Sequence, residues 1–282
     1  MKQKLFRLRE AWTPLLATLL ATAGLMTLSA QARAADSDTR QVPICTDRPT
    51  KANATCTVPQ WQWQLEADLG NATVDRQSGT RIETLYYTNP TLKYGIGERT
   101  DVQLNWAPDI RIRTTDRATG ARESLSGGGD VSLRLKTRFY ENARVSIAAI
   151  PFVKAPVART GIGNGAWEGG VALPVAIALP GSFALTFGPE VDALANADGN
   201  GRHAAVVNLA NLSHPLGNRA SLAVELWSMS NHDPSGTVKQ SSADIAVTWL
   251  VTPTLQLDAG TNIGLNNATP DSQVYVGLSR RF

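Results

Sequence analysis

Few residues in this chain are spaced for catalysis. Gly161-Ile162-Gly163-Asn164-Gly165 is rich in glycine but lacks the lysine and hydroxyl of a phosphate loop and does not open a helix, so it reads as a turn. Asp198-Gly199-Asn200-Gly201 starts like a calcium loop but has no acid at its twelfth position, and reads as a loop tip. A hydrolase needs a nucleophile beside a general base. His203, His214 and His232 are the only histidines, and none stands in a nucleophile motif. The same shortage of histidine and cysteine argues against a zinc site. We therefore expect no enzyme, no metal and no cofactor.

What the chain offers instead is charge in rows. Glu66 and Asp68, then Arg134, Lys136 and Arg138, then Glu190 and Asp192 recur at every second position, joined by Asp101, Asp130, Glu225, Asp244 and Asp258. The intervening positions are apolar. In residues 61–69, Trp61, Trp63, Leu65, Ala67 and Leu69 fall on one face, and Gln62, Gln64, Glu66 and Asp68 on the other. A strand places successive side chains on opposite faces, so each such segment has an apolar wall and a polar wall. In a bilayer, a charge on the lipid side costs about 2–4 kcal/mol near the midplane, which assigns these rows to the inside of a closed barrel. There they have two readings. Opposed acids and bases can zip a narrow lumen shut, or they can set a selective field for a permeating solute.

The elements that carry these rows span most of the chain. Period-two patterning predicts twelve strands, near 61–70, 81–96, 100–113, 129–139, 143–154, 167–179, 183–193, 203–214, 219–230, 239–250, 254–265 and 273–282. Five connections are short (97–99, 140–142, 180–182, 215–218 and 251–253). Six are longer and polar (71–80, 114–128, 155–166, 194–202, 231–238 and 266–272). Short turns at one end and long loops at the other suit an outer-membrane barrel, whose even strand number puts both termini on the short-turn side. A soluble sandwich would also alternate. Against it stand strands of membrane-spanning length, the sustained rhythm of the connections, and a terminal aromatic, Phe282, in line with Leu278, Val276 and Val274. That ending resembles the signal read by barrel-assembly machinery. The expected fold is all-β, a transmembrane antiparallel up-and-down barrel of about 12 strands over residues 61–282.

The N-terminus reads as a signal peptide, residues 1–34. Lys2, Lys4, Arg7 and Arg9 precede the apolar stretch Leu15–Leu28, and small residues at Ala32-Arg33-Ala34 offer a cleavage site. The other reading is a retained anchor helix, for which the stretch is short. The chain carries 27 basic and 24 acidic residues. Cleavage removes five bases and one acid, leaving 22 and 23, so the basic balance belongs to the targeting segment and gives no reason to expect nucleic acid as a partner. Cys45 and Cys56 then fall in a leader, residues 35–60. In an exported chain this pair is expected to form a disulfide. The leader reads either as a small cap at the periplasmic mouth, with Arg48 and Lys51 reaching acids such as Glu66 or Asp68, or as a mobile tether.

Several stretches also resemble a known family. They are Cys45-Thr46-Asp47-Arg48-Pro49-Thr50-Lys51 leading to Cys56, Asn89-Pro90-Thr91-Leu92-Lys93-Tyr94-Gly95, Gly128-Gly129-Asp130, Pro151-Phe152-Val153-Lys154-Ala155-Pro156, Gly161–Gly165, Leu257-Asp258-Ala259-Gly260 and Phe282. Together they resemble the bacterial outer-membrane transporter family named after the meta-cleavage pathway of phenol degradation. The resemblance implies a barrel and transport. The expected function is passive passage of small organic solutes, aromatic or hydrophobic ones among them, with outer-membrane lipid and the assembly machinery as partners. A structural or surface-interaction barrel with a plugged lumen is the alternative.

Overall fold

The computed structural model describes residues 42–77 and 79–282, so the expected signal peptide lies outside the described residues. Twelve antiparallel strands form a single sheet: β1 (Trp63–Asp75), β2 (Thr80–Thr88 and Thr91–Gly97), β3 (Thr100–Trp106 and Asp109–Asp116), β4 (Arg122–Gly127 and Val131–Glu141), β5 (Val145–Ala155), β6 (Glu168–Ala172 and Val175–Ala178), β7 (Ala184–Phe187 and Glu190–Ala195), β8 (Arg202–Pro215), β9 (Ala220–Asp233), β10 (Gly236–Thr252), β11 (Leu255–Gly264) and β12 (Ser272–Arg281). Each pairs with the next, and β1 pairs with β12 from Gln64 opposite Arg281 to Val74 opposite Ser272. The sheet is therefore closed and has no free edge, which is what a bilayer demands of strands.

Five strands are interrupted for a local reason. Pro90, Pro108, Pro174 and Pro189 have no N–H to give the ladder, and β4 breaks at Gly128-Gly129-Asp130. The neighbouring strands bond across each gap. Trp106 N–H donates to the Pro90 carbonyl at 3.2 Å, Gly129 N–H to Ala107 at 2.8 Å, and Leu173 N–H to Pro189 at 2.9 Å.

Burial is inverted relative to a soluble fold, and this separates barrel from sandwich. Asp68 is 3% exposed while its neighbour Leu69 is 57% exposed. The same holds for buried Glu225 beside exposed Leu226, and for buried Asp244 beside exposed Ile245. The apolar wall faces outward, as it must where the surroundings are hydrocarbon. Trp63, Phe139, Tyr140, Phe183, Trp249 and Phe282 are exposed near the short-turn rim and form an aromatic girdle of the kind found at a membrane interface.

The strands run further than the alternation predicted. Residues 71–75, 122–127 and 236–238 are ladder, not loop, and β9 and β10 are joined by Pro234 and Ser235 alone. At the far end of β3 and β4 both faces are polar, as in the pairs Thr114–Glu123 and Thr115–Arg122. A strand that stands in water on both sides loses the period-two signal while its backbone keeps pairing. The longest connection that remains is 156–167.

Candidate functional site

The leader does not stop at the mouth of the barrel. Residues 42–60 enter the lumen from the short-turn rim, turn, and come back to it. At the rim, Ile44 N–H donates to the Pro253 carbonyl at 2.7 Å and Arg281 donates to Val42 at 2.5 Å. On the way out, Trp61 N–H donates to Gly95 at 2.8 Å before β1 begins. The Cys45–Cys56 disulfide closes the neck of this hairpin. At its tip, Thr50 accepts from Asn211 at 3.0 Å and Asn53 accepts from Arg134 at 2.6 Å.

A segment without regular structure carries backbone donors that need partners once buried. The inward carboxylates supply them. Glu66 accepts from Asp47 N–H at 3.1 Å, Glu225 from Lys51 and Ala52 N–H at 3.1 and 3.0 Å, and Asp101 from Val58 N–H at 2.8 Å. The hairpin's own Asp47 accepts from Ala54 N–H at 2.9 Å.

Ion pairs fix the hairpin sideways. Arg48 reaches Asp68 at 2.6 Å on β1 and Asp258 at 2.8 Å on β11, with its guanidinium 5.9 Å from the Tyr275 ring. Lys51 reaches Asp244 at 2.5 Å and lies 5.3 Å from the Trp227 ring. Asp47 takes Lys93 at 2.5 Å and also Lys136, and Lys93 bridges on to Glu66 at 2.5 Å. Burial by itself would raise the Asp47 carboxyl. The ammonium groups of Lys136 and Lys93 outweigh it and hold the carboxyl well below the usual carboxylate range.

Glu66, Asp68, Asp101, Lys136, Glu225, Asp244 and Asp258 are thus gathered around the hairpin, together with Arg48 and Lys51. Arg134 touches only its tip. Asp130 sits in the break of β4, where it pairs with Lys154 at 2.8 Å and anchors the 156–167 connection through Ala158 N–H. Arg138 pairs with Glu141 at the short-turn rim at 2.9 Å. Glu190 and Asp192 lie on β7, across the lumen from β1. Sequence reading passed over Asp47 and Lys93, which form the densest knot of charge. Lys93 falls on the inward parity of Thr91–Gly97, and Asp47 lies within the leader stretch that carried the family resemblance.

The hairpin does not fill the lumen. A cavity of about 410 Å³ remains beside it, lined by Lys51, Asn53, Arg134, Phe152 and Glu190 among others. Residues 46–282 match the model of the family described as "MetA-pathway of phenol degradation". The chain belongs to that family. Its barrel is similar to an outer-membrane channel from Pseudomonas putida F1, at TM-score 0.65 and 12% identity, over 88% of this chain and 100% of that one. It is also similar to the translocator domain of the autotransporter NalP from Neisseria meningitidis, at TM-score 0.51 and 12% identity, over 96% and 98% of the two chains. Likeness at that identity establishes the fold, which is that of outer-membrane barrels. No curated protein matches this family member in sequence.

Proposed function

We propose that this chain is an outer-membrane channel for passive passage of small organic solutes, narrowed by its own leader. The observation that carries this reading is the polar cavity left between hairpin and wall. Its volume is in the range that holds a small molecule. Family membership and the likeness to a channel barrel support it. Phe282, 69% exposed at the girdle, fits recognition by assembly machinery. Liposomes carrying the refolded protein are expected to swell in small sugars or aromatic acids, and more so when the hairpin is loosened. Vesicles as tight as protein-free ones, with wild type and loosened hairpin alike, would remove the channel reading.

The number of ion pairs on the hairpin favours a second reading, a permanently plugged barrel whose loops engage other surfaces. A permanent plug gives no steady single-channel current in any variant that keeps the barrel closed.

A further inference from the structure

Around the hairpin, Arg48, Lys51, Lys93 and Lys136 each meet a carboxylate. Arg134 does not. Among the described residues no carboxylate stands within ion-pairing distance of it, and its side-chain hydrogen bond goes to the Asn53 amide oxygen. Among the described residues Glu190 on β7 has no base within ion-pairing distance either, and behind it Asp192 keeps a buried Oδ1 without a hydrogen-bond partner. Arg134 and Glu190 face the same cavity. An arginine and a glutamate therefore share one chamber, within reach of each other's field, without closing an ion pair.

Glu190 stands two residues along β7 from Asp192, and Asp192 shares a row of the sheet with Arg134. Arg134 is opposite Phe152, Phe152 is opposite Gly170, and Gly170 is opposite Asp192, one row across β4 to β7. Three strand spacings separate the ends of that row, about 14 Å between backbones. The row reads guanidinium, phenyl ring, bare glycine, carboxylate. Gly170 must stay bare, because the Asp192 carboxylate and the edge of the Phe152 ring already fill the place of its Cβ, with Oδ1 at 2.1 Å and Cε1 at 2.9 Å.

We propose that Arg134, Phe152 and Glu190, on one wall of this cavity, form a binding subsite for a small zwitterion with an aromatic or apolar body. Its carboxylate bonds Arg134, its ammonium faces Glu190 with Asp192 behind, and its body lies on the Phe152 ring. A plain anion would bring its charge toward Glu190, and a plain cation toward Arg134. A molecule carrying both ends gives each unpaired group a partner, and the ring adds attraction for an ammonium. The subsite rests on the channel reading for its access, though binding and passage are measured separately.

The test uses calorimetry on the refolded full-length protein in detergent with three probes that share a phenyl ring. These are L-phenylalanine, 3-phenylpropanoate and 2-phenylethylamine. Wild type is expected to bind L-phenylalanine tightest. Arg134→Gln should weaken that binding about tenfold or more and leave the amine preferred. Glu190→Gln should leave the carboxylate preferred. Equal affinity for all three probes, no binding of any, or L-phenylalanine bound unchanged by both variants would overturn the proposal. If either variant fails to fold, the wild-type ranking alone decides. Probe ranking without conductance keeps the subsite and removes the channel; conductance without ranking does the reverse.

Discussion

The guanidinium of Arg48 lies in the space that a side chain on residue 277 would take. Gly277 stands on β12 directly between Asp68 and Asp258, and a Cβ there would be 2.1 Å from Arg48 Nη2. One arginine thus spans three strands because the middle one carries no side chain. Gly277→Ala is expected to push Arg48 off both acids while the strand itself accepts alanine. Conductance in planar bilayers should rise, and unheated and boiled samples should still migrate differently on a gel. A variant as quiet as wild type would mean that Arg48 does not hold the hairpin.

Arg48→Met should act more strongly than Gly277→Ala, since it leaves Asp68 and Asp258 facing each other without a cation. Removing one partner of a buried ion pair costs about 3–5 kcal/mol. Arg48 keeps 15% of its side-chain exposure, so the lower end or less is expected. Restoring neutrality with Asp68→Asn and Asp258→Asn in the same chain should recover part of that loss. Urea titration of the hairpin contact, followed by the accessibility of a cysteine-free label at Thr50, measures it.

The depressed Asp47 carboxyl gives a pH signature with a definite sign. In a released hairpin this group titrates near about 4, as a free aspartate does. Seated, it titrates lower. Its contribution to seating is therefore fully present above about pH 4 and is lost as pH falls through the lower, seated value. The difference in open probability between Asp47→Asn and wild type should stay constant from neutral pH down to about 5 and shrink only below about 4. A difference that already closes near neutrality would contradict the pairing with Lys93 and Lys136.

The disulfide at the neck should matter to the hairpin and little to the wall. Cys45→Ser/Cys56→Ser frees a loop of separation 11, for which chain entropy suggests about 3 kcal/mol or somewhat less. Noisier, larger conductance with unchanged heat-modifiability is the expected result. Unchanged conductance would reduce the leader to a tether.

Neighbouring residues on one strand should answer oppositely to charge. Leu226 is 61% exposed on the outer wall and Glu225 is buried inside. Leu226→Arg should cost about 2–4 kcal/mol of barrel stability if it sits near the midplane. Glu225→Gln should spare the wall and loosen the hairpin tip, where Lys51 and Ala52 N–H depend on it. Reversible unfolding from lipid vesicles distinguishes the two.

The wall was legible because a bilayer imposes a chemical rule on every second residue. Trp63 to Leu69 and Ala243 to Trp249 state it without help from the rest of the chain. The breaks were not part of that reading: the alternation predicts 81–96, 100–113, 167–179 and 183–193 as unbroken strands, although Pro90, Pro108, Pro174 and Pro189 stand inside them without an N–H to give. The hairpin was less legible. Residues 42–60 have no period, since their contacts are spread over many strands, and what Asp47 meets depends on how Lys93 and Lys136 come together on β2 and β4. Nor does a local pattern announce that Gly277 must stay bare, because the atom that fills its place lies 229 residues away.

Arg48 takes its acids from β1 and β11, near opposite ends of the barrel sequence, and β12 lies between them. The two acids stand on either side of Gly277 only once β12 has paired with both β1 and β11. The hairpin precedes every strand in the sequence, yet its seat is complete only in the closed sheet. A wall open between its first and last strands therefore offers the leader only part of its seat.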